Sequence, residues 1–329
     1  MHDIEISKSE KTPQAGAASA PVTSDRTPRA KTNFAIEYLR VLSAFAIIWF
    51  HTPGTPFHQA AYSGLVCFLL ISSYFYFTSA LRYGPARFFS KKAPRLILPF
   101  AAWYLIFACL NIAMGKPPMP DYGSALAAIT VGPWLGLWYL PFAFAASFPS
   151  YVVAKACENR LNAGAWSLSV LGASFLIAAF FLREFSTLGV PLAQWVHAAP
   201  AVPIGLSLAA GHLRSNGKRF CKADVLQQLP TLVVLLIVLP YDRGLALSYL
   251  IAIPLFSACL AFGARAPRCP PFLSEICLAL YLLHPVALSG LNRAFQLETK
   301  PIVWFAAAAI ASTCAALIIV RLPIARRIV

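Results

Sequence analysis

The chain has 329 residues, of which 59% are hydrophobic and only 12% charged, with a net charge of +15. A soluble domain is about a quarter charged, so this composition excludes an ordinary water-soluble enzyme. The mean hydropathy of +0.67 reflects long apolar runs from Phe34 to Val320 that do not alternate as membrane strands would, so the expected fold is all-α: a polytopic transmembrane helical bundle.

Residues 1–32 are polar, rich in Ala, Ser, Thr, Pro and Lys, and lack the apolar stretch of a signal peptide. They read as a disordered cytoplasmic tail, followed by one membrane-embedded domain over 33–329. Ten spans are expected in that domain. The first runs from Phe34 to Phe50 and ends in the turn Thr52–Gln59, which holds two prolines and a glycine. The second covers Tyr62–Leu81. A basic loop with Arg82, Arg87, Lys91, Lys92 and Arg95 leads to the third, Leu96–Met114. An interfacial or re-entrant segment at Ser124–Gly132 precedes the fourth span, Trp134–Ala154. The fifth is Ala165–Leu182, and the sixth, Gln194–Ala210, is interrupted by Pro200 and Pro203. Leu226–Leu239, Leu245–Phe262, Phe272–Leu291 and Ile302–Val320 complete the set.

The charge distribution orients these spans. With both termini in the cytoplasm, inside segments hold 21 Lys and Arg residues and outside segments hold 5, as the positive-inside rule requires. An odd number of spans would break this asymmetry. The same rule accounts for the basic balance, so no nucleic-acid partner is expected; the expected partner is membrane lipid, around a multi-pass bundle. The eight cysteines lack CxxC spacing and lie in spans or cytoplasmic loops, so free thiols and no metal site are expected.

One stretch stands apart. Asn33–His51 is apolar enough to enter a bilayer, yet it carries Glu37, Arg40 and His51, and ionisable groups inside a span mark functional sites. Arg40 and His51 are eleven positions apart, about three helical turns, which puts them on nearly one face and ~16 Å apart along the axis. Glu37 lies one turn before Arg40, where it can orient or neutralise the guanidinium.

Several segments carry a family likeness. YLRVLSAFAIIWFH (Tyr38–His51) is similar to an Arg-x10-His first helix, with Arg40 and His51 in the matching places. FLLISSYF (Phe68–Phe75) is similar to Phe-Phe-x-x-Ser-Gly-Tyr/Phe, with Ser73 in place of the glycine. KKAPRLILPF (Lys91–Phe100) is similar to Arg-x-x-Arg-Ile-x-Pro at the start of the third helix, Lys92 and Arg95 taking the basic positions. CLALYLLHPV (Cys277–Val286) is similar to Ser-Tyr-x-x-Tyr-Leu-x-His, with Tyr281 and His284 matching and Cys277 and Leu278 departing. LWYLPF (Leu137–Phe142), with Tyr139 for a phenylalanine, and the closing RLPIARRI add to the likeness. Together, in this order, they resemble the acyltransferase-3 family of integral membrane O-acyltransferases, which modify bacterial surface glycans.

The resemblance implies transfer of an acyl group, most often acetyl and in some cases succinyl, from cytoplasmic acyl-CoA to a hydroxyl of an exopolysaccharide, lipopolysaccharide or related glycan, free or lipid-linked. Such chemistry needs a cation for the donor's phosphates and a base for the hydroxyl proton. Arg40 suits the first task, with Arg95 and Lys92 as further phosphate contacts. His51 suits the second, with His284 as its helper or a substrate contact. Tyr74, Trp138, Tyr139 and Tyr281 are candidates for stacking on sugar rings, although an aromatic belt is the commoner meaning of such residues. His58, His197 and His212 have no evident partner or match and receive no role. No Gly-x-Ser-x-Gly elbow, HExxH or Walker loop occurs. Two other readings fit the composition: an exporter of a polar envelope compound, and a non-catalytic partner in a polysaccharide-synthesis complex.

Overall fold

The computed structural model describes residues 33–215 and 222–322. The N-terminal tail, residues 216–221 between the sixth and seventh expected spans, and most of the closing RLPIARRI segment lie outside the described residues.

Within them the chain is helical, with no strand among the described residues. Fourteen helices follow in order: α1 (Phe34–Phe50), α2 (His58–Ala61), α3 (Ser63–Arg82), α4 (Pro85–Ala113), α5 (Ala125–Val131), α6 (Tyr139–Cys157), α7 (Leu161–Phe185), α8 (Leu192–Ala198), α9 (Ala201–Arg214), α10 (Lys222–Leu226), α11 (Leu229–Val238), α12 (Arg243–Phe262), α13 (Pro271–Phe295) and α14 (Pro301–Ile319). A 3₁₀ turn, Leu135–Trp138, leads into α6. Eight segments are long and apolar enough to cross a membrane, with α8 and α9 counted as one. Helix α1, at 17 residues, and α11, at 10, are shorter. All ten expected spans are therefore helical, and α1 has the expected bounds.

The start of the third span differs from expectation. The basic stretch before the third span is not a loop: α4 starts at Pro85 and runs for 29 residues. Proline fits the first helical turn, where its missing N–H has no intrahelical partner anyway, and Lys and Arg are good helix formers. The sixth span is interrupted as expected, between α8 and α9, where Pro200 sits in the break and Pro203 in the first turn of α9. The segment expected to lie at the interface is the short helix α5.

Helix α1 is central, packed by α3, α12, α13 and α14. Its start is fixed from both sides. Asn33 accepts hydrogen bonds from the N–H groups of Ala35 (3.1 Å) and Ile36 (3.3 Å), and its own amide donates to the Cys259 carbonyl (3.0 Å) at the end of α12. Gly263 makes room for that cap, since a Cβ there would overlap the Asn33 side chain. Between helices in lipid there is little hydrophobic driving force, so close approach at small residues supplies the packing energy. At Gly64 a Cβ would meet the Ser43 carbonyl oxygen at 2.6 Å, so α1 and α3 touch backbone to backbone. Where the family motif has glycine, α3 has the buried Ser73, and its neighbour on α9 is Gly205, whose Cβ would lie 2.7 Å from that of Ser73. The close approach survives with the small residue on the facing helix.

Candidate functional site

His51 is the first residue beyond α1. Its backbone N–H donates to the Ile47 carbonyl (3.0 Å), and its ring Nδ1 lies 2.9 Å from the same oxygen. The following turn is locked by its own side chains: Thr52 donates to Ile48 O (2.9 Å), Thr55 to Thr52 O (2.9 Å), and the Trp49 indole to Pro56 O (2.8 Å). Gly54, at φ +82°, makes the turn possible. The helix end and the turn thus hold the imidazole in one orientation.

His284 is held by a different device. Pro285, next in α13, has no N–H, so it cannot bond the Tyr281 carbonyl four residues back. That carbonyl instead faces His284 Nδ1 at 2.7 Å. A carbonyl only accepts, so in both histidines Nδ1 carries the proton and Nε2 the lone pair, an assignment from the hydrogen-bond network. The His284 Nε2 is buried with no hydrogen-bond partner among the described residues, a state that costs about 1–3 kcal/mol.

The two rings lie 4.9 Å apart between centroids. Trp134 completes the cluster, 6.3 Å from His51 and 5.5 Å, edge-on, from His284. Tyr281 stands behind it, its ring 6.1 Å from Trp134 and 5.5 Å from Tyr139, its hydroxyl donating to the Gly136 carbonyl. Gly136 is obligatory: a Cβ there would fall 2.1 Å from the Trp134 ring. Gly132, at φ +68°, precedes the Pro133–Trp134 pair and lies against the Tyr104 ring.

Two cavities meet at this cluster, and His51 and Trp134 line both. The first, of about 570 Å³, is bordered by Tyr62, Trp138, Tyr281, Gln194, His197 and Arg183. The second, of about 770 Å³, is bordered by His284, Asn111, Lys116, Asn292, Arg293 and Trp304. The His51 ring is open to this space while protein surrounds it.

Arg40 lies toward the other end of α1. Its guanidinium pairs with Glu37 at 2.9 Å, both groups partly buried, as the i,i+3 spacing predicted. Neither residue lines either cavity. Lys92 is half-buried on α4, its ammonium 4.9 Å from the Tyr76 ring centre, and Arg95 on the same helix is exposed. Helix α4 packs mainly on α6 rather than on α1. The structure therefore brings His51, His284 and Tyr281 together, puts Trp138 in the first cavity wall, and leaves Lys92 and Arg95 apart from the histidines. Tyr74 is also apart: its neighbours are Phe75, His212 and Phe256.

Three lining residues received no role from the sequence. Trp134 enters there only as the start of the fourth span, and the glycines at 132 and 136 were the available signal. His58, stacked on Phe50 at 4.8 Å, and His197, buried with Nε2 3.3 Å from the Ser248 hydroxyl, border the first cavity.

No curated protein and no solved structure matches the chain. A family model described as an acyltransferase domain matches residues 33–321, nearly the whole length and all of the helical bundle above. The chain belongs to the acyltransferase-3 family.

Proposed function

We propose that the protein moves an acyl group, acetyl or succinyl, from acyl-CoA in the cytoplasm to a hydroxyl of a cell-envelope glycan at the far face of the bacterial inner membrane. The observation that carries this reading is the placement of a cation in the first half of one helix and a base just past its end, with the base at the junction of two cavities.

In this reading Arg40 holds the donor's phosphates near the cytoplasmic side, and Glu37 keeps the guanidinium oriented. A distance of ~16 Å along α1 matches the reach of an extended pantetheine arm, so the thioester arrives beside His51. The acceptor hydroxyl gives its proton to a histidine Nε2 as its oxygen attacks the thioester carbonyl. The tetrahedral intermediate collapses, the C–S bond breaks, and the imidazolium returns the proton to the leaving thiolate. The products are an O-acyl ester and free coenzyme A.

His51 is the base in this scheme, since its ring opens to both cavities. His284, 4.9 Å away, shares or relays the proton. Lys92 and Arg95 meet the donor at its cytoplasmic approach. Trp138 and Tyr281 wall the first cavity beside His51.

The test is acyl transfer from labelled acetyl-CoA in membranes containing the full-length protein. His51→Ala is expected to lose about 10²–10⁴-fold in rate at unchanged protein level. Wild-type turnover in that variant would remove His51 from the chemistry.

A further inference from the structure

The end of the bundle that holds His51 is poor in cations. By alternation of the helices it carries, among the described residues, only Lys116, Arg183, Arg243, Arg293 and Lys300. The positive-inside rule explains the depletion but not where the remaining cations sit. Arg183 borders the first cavity, where it is neutralised by Asp242 at 2.9 Å. Lys116 and Arg293 both border the second cavity, the one that also contains His284.

Neither Lys116 nor Arg293 forms an ion pair with any described residue. Acids are available at this end, yet they are used elsewhere. Asp121 accepts from the N–H of Gly123 (2.8 Å), Asp242 takes Arg183, and Glu298 takes the Asn292 amide (2.5 Å). Glu184 borders neither cavity. Arg293 lies in the last turn of α13 and Lys116 just beyond the end of α4, where the macrodipole tolerates cations; that does not account for their convergence on one opening. Arg293 lies nine positions beyond His284 on α13, ~13 Å along the axis, so a charge held there belongs to a group some way along the acceptor from its reacting hydroxyl.

We propose that the second cavity receives an anionic acceptor, a glycan whose carboxylate or phosphate is gripped by Lys116 and Arg293 while a hydroxyl further along it meets His284 and His51. This rests on the acyltransferase reading above and narrows its substrate to acidic glycans. The two cations act on binding and not on the chemical step.

The experiment uses the full-length protein in nanodiscs of phosphatidylcholine, which carries no net charge, with labelled acetyl-CoA. Envelope glycans of the producing bacterium are divided by anion exchange into a neutral flow-through and a retained acidic fraction. Label is expected in the acidic fraction. The Lys116→Gln/Arg293→Gln variant is expected to raise its half-saturating concentration at least tenfold while maximal rate changes less than twofold. The charge-keeping Lys116→Arg/Arg293→Lys variant is expected to stay within threefold of wild type. Carboxyl reduction of the glycan, or enzymatic removal of its phosphate, is expected to reproduce the Gln variant's defect in wild type, and the effective treatment names the anion. Label entering only the neutral fraction overturns the proposal, as does a Gln variant with wild-type half-saturation. A defect appearing only in discs that contain phosphatidylglycerol makes these residues lipid anchors and also overturns it. Label in neither fraction overturns the glycan-acyltransferase reading itself, and this inference with it.

Discussion

The Tyr281 carbonyl accepts a hydrogen bond from His284 Nδ1 at 2.7 Å because Pro285 cannot donate to it. A proline inside a helix normally leaves a carbonyl to water or a neighbouring helix. Here the histidine one position earlier takes it, and a backbone defect becomes a tautomer lock.

Replacing Pro285 by alanine restores an N–H that competes for Tyr281 O. The imidazole then loses its exclusive partner and its fixed orientation. Turnover is expected to fall roughly tenfold with donor KM unchanged, since a wrongly oriented or wrongly protonated histidine impairs the chemical step rather than binding. Steady-state kinetics on the variant, with thermal unfolding to confirm that α13 is intact, make the comparison. Undiminished turnover would mean that the lock is irrelevant to catalysis.

A base must be neutral to accept a proton. The rate of acyl transfer is therefore expected to fall as pH is lowered, by up to tenfold per unit once the histidine is mostly protonated. His51→Ala should flatten that limb as well as lower the rate. The check is a pH–rate profile for the wild type and the variant at saturating donor. An acidic limb of the same slope in both would assign the titration to another group.

Arg40→Ala is expected to act on the donor. A charge-assisted contact to phosphate contributes about 1.5–3 kcal/mol, so KM for acetyl-CoA should rise roughly 10- to 100-fold. The variant also leaves Glu37 without the 2.9 Å partner it has now, so Glu37→Gln/Arg40→Ala separates loss of the cation from exposure of the acid. Unchanged donor affinity in both variants would refute the phosphate role.

Gly136→Ala tests the Trp134 position. The added Cβ would sit 2.1 Å from the indole, so the ring has to leave its place beside His51 and His284. Overpacking of this kind costs about 1–3 kcal/mol, and activity should fall by more than the loss of folded protein. The ratio of specific activity to folded fraction, measured by size exclusion in detergent, distinguishes a local displacement from general damage.

Much of this was legible in the chain itself. Apolar runs located all ten helical segments, and the three-residue spacing predicted the Glu37–Arg40 pair. Arg40 and His51 stood out because ionisable groups in an apolar run are conspicuous. The partnership of His51 with His284 was less visible, since it depends on α1 and α13 lying side by side, a tertiary fact with no local signature beyond the family pattern. Trp134 was invisible for another reason. Tryptophan near a membrane surface is common, and only the glycines on either side, one at positive φ and one beneath the indole, mark it as held in place. The basic run at the start of α4 misled in the opposite sense: its charge resembled a loop, yet Lys and Arg lengthen a helix readily once it leaves the apolar layer.

The Ser73–Gly205 contact has a consequence beyond this chain. Smallness there is a property of the pair of facing helices and not of one position. A serine on α3 is tolerated because α9 presents a hydrogen where another residue would present a methyl group. Relatives are better compared by summing side-chain volume across the α3–α9 seam than by demanding glycine in the second helix; a pattern that insists on that one letter would discard chains that meet the same steric condition from the other side.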